Sequence, residues 1–269
     1  MLTPALADHR AELAAAVQTL EDPSWVGRLS NAVGKPVELL RAVMPKAVGK
    51  SVEKATAAAL QRALKAAFTT LPTKPLNRGP LLHKILAITS GALGGSLGLL
   101  TLAAELPIST LLILRAIGEI AQHEGEDLTR PEAALACIEV FALGGGREDA
   151  DSPGDSGYFT VRAALSQSIS EASTFVAEQG FVSQGAPVLV RLVTDVSSYF
   201  GVVVSQKIGA QAFPVIGAFG GAAVNAAFMD HYQDLAKAHF TVRRLEREFG
   251  QEPVRAAYEE IRREIEKGT

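Results

Sequence analysis

The chain has 269 residues, enough for one large domain or two small ones with a sizeable core. Apolar residues make up 48% and charged residues 20%, the apolar side of the range for a soluble protein, and aromatics at 6% are too few to favour a β-sandwich over Ala-, Leu- and Gly-rich helix packing. The net charge is −3, and the lone Cys137 excludes an internal disulfide or a multi-cysteine zinc site and suits a reducing compartment.

From the N-terminus the pattern reads as helices. Thr3 can cap a first helix with Pro4 at its opening position, and Leu6, Leu13, Val17 and Leu20 line one face of it up to Asp22-Pro23. This terminus has no basic segment followed by an apolar one, so no secretory signal is visible and the cytoplasm is the expected location. A short helix is expected from about Pro36 to before Pro45. The next, 46–68, is amphipathic: Val48, Val52, Ala55, Ala59 and Ala63 cluster on one side, and Lys46, Lys50, Lys54, Arg62 and Lys65 spread over the other.

The net charge conceals an imbalance around that helix. Between Trp25 and Lys84 eleven Lys and Arg face only Glu38 and Glu53, a local charge of +9 that leaves −12 for the rest. Such asymmetry fits a face turned to a polyanion, and five basic residues (Lys46, Lys50, Lys54, Arg62, Lys65) are candidates for anionic-surface binding. Trp25 and Phe68 are too few aromatics for stacking on single-stranded nucleic acid, which is not an expected partner. The plainer reading is that these lysines solvate exposed helix faces.

A Pro-rich turn at 71–80 then leads into an uncharged stretch from Ile85 to Ala104. A second such stretch runs from Ile208 to Met229, and each has about the roughly 20 residues of a bilayer-spanning helix. Both are rich in small residues. Gly91/Gly95, Gly94/Gly98 and Gly217/Gly221 form GxxxG pairs that let helix backbones pack closely, in a membrane or in a small-residue core. In water four glycines in one helix cost roughly 0.8–1 kcal/mol each relative to alanine, so close packing or a bilayer must offset them. A core is expected in preference to permanent spans, because neither stretch has Trp or Tyr anchors at both ends and Gln211 and Pro214 interrupt the second.

Glu105 and Leu106-Pro107 are expected to break the first stretch, with a further helix from Pro107 to about His123 closed by Gly125. Thr129-Arg-Pro-Glu132 has the form of a capping box for a helix with Leu135, Ile138, Phe141 and Ala142 inward. Residues 144–157 read as a flexible acidic loop. Helices are expected over Tyr158–Gln179, over Pro187–Gln211, and from Pro214 to Phe249. The last helix should turn Val254, Ala257, Tyr258, Ile261 and Ile265 inward and pair Glu259 with Arg263.

Ionisable and polar groups at the margins of the apolar stretches are the candidates for a polar site: Glu105, Arg115, Glu119, His123, Asp127, Asn225, Asp230 and His231. The plainer alternative is a closed network in which Arg115 pairs with Glu119 or Glu105. Glu119, His123 and His231 are the one metal-like combination, but the His-Glu-x-x-His form is absent, and neither a metal nor a cofactor is expected. There is no Walker A sequence and no Gly-x-Ser-x-Gly elbow, so catalytic residues stay unassigned.

Two segments carry a family likeness. The first is Gly94-Gly-Ser-Leu-Gly-Leu-Leu-Thr-Leu-Ala-Ala-Glu-Leu-Pro107, with Leu114-Arg-Ala-Ile-Gly-Glu-Ile-Ala121 and His123-Glu-Gly-Glu-Asp127. The second runs from Ser205-Gln-Lys-Ile-Gly through Asn225 and His231 to His239-Phe and Arg243-Arg-Leu-Glu. Together they resemble the EcsC family of bacterial proteins, over about residues 15–260. The family is named for a gene beside those of an ABC transporter, so the resemblance implies a link to membrane transport or secretion, and it carries over no catalytic residue.

The expected fold is an all-α bundle of about eight helices forming a single domain over 1–269, with two glycine-rich apolar hairpins, 85–123 and 187–229, at its centre. Its parts are a basic helical portion (25–84), the first hairpin and following helix (85–143), the acidic loop (144–157) and a second helical portion (158–269). The expected function is that of a non-enzymatic accessory protein on the inner face of the cell membrane, partnered by the membrane surface or a membrane transporter. The alternative is an enzyme, or a carrier of a small ligand or lipid, with a polar site between the hairpins.

Overall fold

A computed structural model describes residues 4–21, 49–71, 102–144, 157–181, 185–211 and 217–268. All regular structure among them is helical: α1 (Pro4–Ala7), α2 (Arg10–Glu21), α3 (Gly49–Thr69), α4 (Leu102–His123), α5 (Pro131–Leu143), α6 (Gly157–Gln179), α7 (Pro187–Gln211), α8 (Gly217–Phe249) and α9 (Gln251–Gly268). The protein is an all-α bundle. The expected helix after Pro36, the 71–80 turn beyond Leu71, residues 145–156 of the acidic loop, Lys46, and Gly91, Gly94, Gly95 and Gly98 lie outside the described residues.

The bundle is built around α5, in which every residue from Ala133 to Leu143 is buried. A helix that is apolar on all sides must be covered on all sides, and α3, α4, α6, α7 and α8 all pack on this one. Phe141 of α5 anchors an aromatic cluster with Phe200 of α7 and Tyr232 of α8, at ring-centroid distances of 5.0 and 5.4 Å. Outside this layer α2 lies on α8 and α6, and α9 lies on α8 and α2. The apolar faces read for the first and last helices bury as expected: Leu6, Leu13, Val17 and Leu20 at one end, and Val254, Ala257, Tyr258 and Ile261 at the other.

Side-chain contacts fix the helix directions. Lys207, near the end of α7, meets Glu105 near the start of α4 and Phe228 in the first half of α8. At the far end Arg243 and Arg244 of α8 reach Glu126 and Glu124, just past the end of α4. Helices α4 and α8 therefore run the same way and α7 runs against them. Leu71, just past α3, sits where a side chain on Gly118 would be, 2.8 Å away, so α3 runs with α4.

Gly217 and Gly221 fall in the first two turns of α8, and their packing, like that of the other four packing glycines, lies outside the described residues. Among the described residues the tight approaches fall at Gly118 and Gly144, neither of them in a GxxxG pair read from the sequence. A Cβ there would stand 2.8 Å from a Leu71 methyl and 2.7 Å from His231 Nε2. One bulky side chain seated on a helix needs a single bare position beneath it, not a repeat of two, so no spacing signal marks such a glycine.

Four further local expectations are corrected. Pro107 does not break the helix but lies inside α4 (Leu102–His123), where its missing N–H gives up the bond that an ordinary residue would make to the Ala103 carbonyl. Thr129 does not cap α5. Its hydroxyl donates to Asp127 Oδ1 at 2.6 Å, and the N-cap is Arg130 without a side-chain bond, followed by Pro131. Ile265 is exposed, and Glu259 pairs with Arg262 rather than Arg263, whose Nε donates to the Glu259 carbonyl instead. Gly125 does end α4, with φ +81°, and the Glu126 N–H closes back on the Ala121 carbonyl at 2.9 Å.

Candidate functional site

The ionisable residues gather into two groups at opposite ends of the bundle. At the first end Lys207 Nζ donates to Glu105 Oε1 at 3.2 Å, with both side chains almost completely buried, and it lies 4.6 Å from the centre of the Phe228 ring. Burial holds the Lys207 ammonium below its ordinary pKa, and the Glu105 carboxylate works against that. Ser109 and Thr110, also buried, return their hydroxyls to the Leu106 carbonyl of their own helix. Around this pair the sequence is bare of charge: Leu102–Leu114, Val196–Gln211 and Gly217–Met229 hold no charged side chain except these two.

The second group links α5, α6 and α8. Arg162 of α6 makes a two-pronged contact with Glu246, at 2.7 and 3.0 Å, and a longer bond to the Tyr158 hydroxyl at 3.3 Å. The same hydroxyl is hydrogen-bonded to His239 Nδ1, 3.0 Å away, with the imidazole tautomer setting which of the two donates. The other ring nitrogen, Nε2, faces Glu139 Oε2 of α5 at 3.8 Å, beyond hydrogen-bond reach. Burial, reinforced by the cations Arg162 and Arg243, holds His239 well below its ordinary pKa. The imidazole is neutral, so its contact with Glu139 is not an ion pair. Burial also pushes the Glu139 carboxyl up, against the pull of Arg162 and Arg243, and it pushes up the Tyr158 phenol. His239, Tyr158 and Glu139 are 0%, 2% and 5% exposed, so this chain of groups is sealed from solvent.

Beyond it the arginines of Arg243-Arg-Leu-Glu246 clamp the corner after α4. Arg243 donates to both oxygens of Glu126, at 2.8 and 3.4 Å, and Arg247 also reaches Glu126. Arg244 joins Glu124 at 2.8 Å to Glu12 of α2 at 2.9 Å. Two segments that carry the family likeness, His123–Asp127 and Arg243–Glu246, are thus held together by ion pairs.

The eight candidates for a polar site do not converge. Glu105 is paired with Lys207, and Asn225 lies one turn before Phe228, at the uncharged end. His123 follows eighteen residues after Glu105 on the same helix, about 27 Å away at 1.5 Å per residue. It is exposed, as is Asp127, whose carboxylate is held below its ordinary pKa by the hydroxyl and N–H of Thr129. Arg115 and Glu119 are half-buried along α4, and Asp230 is half-buried on α8. His231 packs against Gly144 at the end of α5. Among the described residues no cluster of three or more His, Cys, Asp or Glu is placed to hold a metal, so Glu119, His123 and His231 do not form one. Cys137 is core, and burial pushes its thiol up.

Lys207, Tyr158 and Arg162 were not among the sequence candidates. A lysine inside an apolar run was the available signal for the first, since it needs a partner once buried. Tyr158 and Arg162 sit on a helix of mixed composition with no such signal.

On α3 the amphipathic reading holds in the described part. Val52, Ala59 and Ala63 are buried, while Lys54, Arg62 and Lys65 are exposed along one stripe. Its neighbour α7 is long and apolar enough from Pro187 to Ile208 to cross a bilayer by length and composition, and 39% of that window is buried in the bundle. No curated protein and no solved structure matches the chain. The EcsC protein family matches residues 8–245, nearly the whole chain, and the protein belongs to it.

Proposed function

We propose that the protein is a non-enzymatic accessory protein that works on the cytoplasmic face of the cell membrane, held to anionic lipid by its basic N-terminal part, and serving a transport or secretion assembly there. The observation that carries this reading is the exposed stripe Lys54, Arg62 and Lys65 on α3, whose opposite face is buried in the bundle. The stripe belongs to a segment with a charge of +9. Near an anionic bilayer each Lys or Arg contributes about 1 kcal/mol, within a Debye length of the surface. The absence of a catalytic role is supported by the sealing of the His239 network and by the dispersal of the other polar candidates.

Flotation with vesicles of phosphatidylglycerol and phosphatidylcholine tests it. Binding is expected at low ionic strength, with loss at high salt or with phosphatidylcholine alone. Replacement of Lys54, Arg62 and Lys65 together by Glu should abolish it. No flotation at low salt, or unchanged flotation of the charge-reversed variant, would overturn the proposal.

A further inference from the structure

We propose that Glu139 and His239 form a two-position proton switch in the core. The protonation state of the carboxyl decides which imidazole nitrogen carries the ring proton, and so which way the Tyr158 hydroxyl bonds. The switch does not depend on the proposed function. Nε2 of His239 is completely buried and, among the described residues, has no hydrogen-bond partner. A buried polar atom left without a partner calls for an explanation. The group that it faces is Glu139 Oε2 of α5 at 3.8 Å, so an approach of about 1 Å brings the two into hydrogen-bond range. On the other side of the ring, Nδ1 is already bonded to the Tyr158 hydroxyl at 3.0 Å.

A carboxyl, an imidazole and a phenol can each donate or accept, according to where their protons sit. With Glu139 ionised, the ring proton sits on Nε2 and points at the carboxylate. Nδ1 then accepts from Tyr158, whose oxygen accepts from Arg162 at 3.3 Å. With Glu139 protonated the order reverses: the carboxyl O–H donates to Nε2, and the ring proton moves to Nδ1 and donates to the Tyr158 oxygen. Carboxyl, ring and phenol hold two protons between them in the first arrangement and three in the second. One proton is therefore taken up from solvent, and the imidazole stays neutral in both. In the second arrangement Tyr158 gives up the bond that it donated, and Arg162 shares the phenol oxygen with another donor. Arg162 also holds Glu246 of α8, at 2.7 and 3.0 Å, so a proton placed on α5 is felt on α6 and α8.

The surroundings favour these two arrangements over an ion pair. Burial, then Arg162 of α6 and Arg243 of α8, keep positive charge off the imidazole. Glu139 is pulled both ways: burial favours its proton, Arg162 and Arg243 oppose it, and Glu246 favours it again. Glu126, at the corner after α4, engages Arg243 at 2.8 Å. From the outer layer Tyr258 of α9 stacks on Tyr158, with ring centroids 5.5 Å apart. The acid nearest on that side, Glu21 of α2, bonds to the Tyr158 N–H and the Tyr258 hydroxyl, not to the Tyr158 hydroxyl.

The test follows both groups through one titration of the full chain, between about pH 5 and 9. Long-range proton–nitrogen NMR on protein with isotope-labelled histidine distinguishes the two neutral tautomers from each other and from the doubly protonated ring. The His239 signals are identified by their loss in His239→Gln. Infrared difference spectroscopy reads the C=O stretch of a protonated carboxyl, assigned to Glu139 by its absence from Glu139→Gln. As the pH falls, His239 should pass from the Nε2–H to the Nδ1–H tautomer, with the same midpoint as the rise of the carboxyl band. In Glu139→Gln, which keeps a donor and an acceptor but does not titrate, the tautomer should no longer depend on pH. A tautomer that stays fixed while the band rises, a doubly protonated ring at the midpoint of the band, or a carboxyl in one state throughout the range would each overturn the switch. Should Glu139→Gln fail to fold, the parent chain decides alone: coincident midpoints support the switch and separate ones overturn it.

Discussion

Lys207 of α7 and Glu105 of α4 form an ion pair at 3.2 Å with almost no solvent on either partner. Removing two charges from water costs several kcal/mol per ion before their attraction is counted, so such a pair is worth little against an apolar pair but much against a broken one. Glu105→Gln should therefore destabilise the protein by about 3–5 kcal/mol, and Glu105→Leu combined with Lys207→Met should recover most of that loss. Urea unfolding of the two variants and the parent reads both. The loss should also depend on pH. Lys207 already sits below its ordinary pKa of 10.5, and without the carboxylate it drops further. The unfolded chain then binds a proton that the folded chain refuses, over the interval below about 10.5, and stability rises with pH there. The Glu105→Gln variant should gain stability between pH 7 and 10 more steeply than the parent.

His239 gives an opposite kind of dependence at acid pH. Its folded pKa is held well below 6.5, so the unfolded state takes up a proton first as the pH falls. The stability of the neutral imidazole is fully present above about 6.5 and is lost as the pH drops towards the folded value. Glu139 acts the other way: its raised pKa adds stability at low pH that is lost as the pH rises through the folded value. His239→Gln keeps a hydrogen-bonding partner for the Tyr158 hydroxyl and should flatten the decline in stability between pH 6.5 and 5. Glu139→Gln should steepen it. A steep decline left intact in His239→Gln would assign acid sensitivity to other groups.

The helices themselves were largely legible, because apolar periodicity reports one buried face and most of these helices have one. What could not be read was which charges meet. Glu105 stood out as a charge in an apolar run, but its partner lies 102 residues away, and nearer arginines such as Arg115 offered a simpler and incorrect match. Arg243 and Glu126 are separated by 117 residues and joined only by the parallel course of α4 and α8. The Thr129 capping box failed for a local reason: Asp127, two residues earlier, offers a stronger acceptor for the same hydroxyl.

Two helix-end and helix-interior glycines separate packing from conformational freedom. A Cβ on Gly144 would stand 2.7 Å from His231 Nε2, 3.1 Å from a Leu235 methyl and 3.3 Å from the Tyr232 hydroxyl, whereas nothing lies within 4 Å of one on Gly201. Neither position has positive φ. Gly144→Ala should therefore cost about 1–3 kcal/mol through overpacking. Gly201→Ala, inside α7, should stabilise by roughly 0.5–1 kcal/mol. Opposite shifts of the thermal midpoint are the expected result, and shifts of the same sign would contradict the packing at the end of α5.

Glu21, the last residue of α2, caps a helix remote in sequence. Its Oε2 accepts the Gly157 N–H at 3.0 Å and its Oε1 accepts the Tyr158 N–H at 3.4 Å, at the first turn of α6. The Tyr258 hydroxyl of α9 donates to the same Oε1 at 2.7 Å. A carboxylate there satisfies donors that the helix leaves open and faces the positive end of its dipole. Because Tyr158 begins the chain of bonds to His239, the cap also sets where that chain starts. Glu21→Gln turns an amide N–H towards groups that are themselves donors, and should cost about 1–2 kcal/mol. Tyr258→Phe should cost a similar amount, and the double variant less than the sum, since both remove one bond. A double-mutant cycle by chemical denaturation measures the coupling, and additive losses would mean that Glu21 and Tyr258 act on α6 separately.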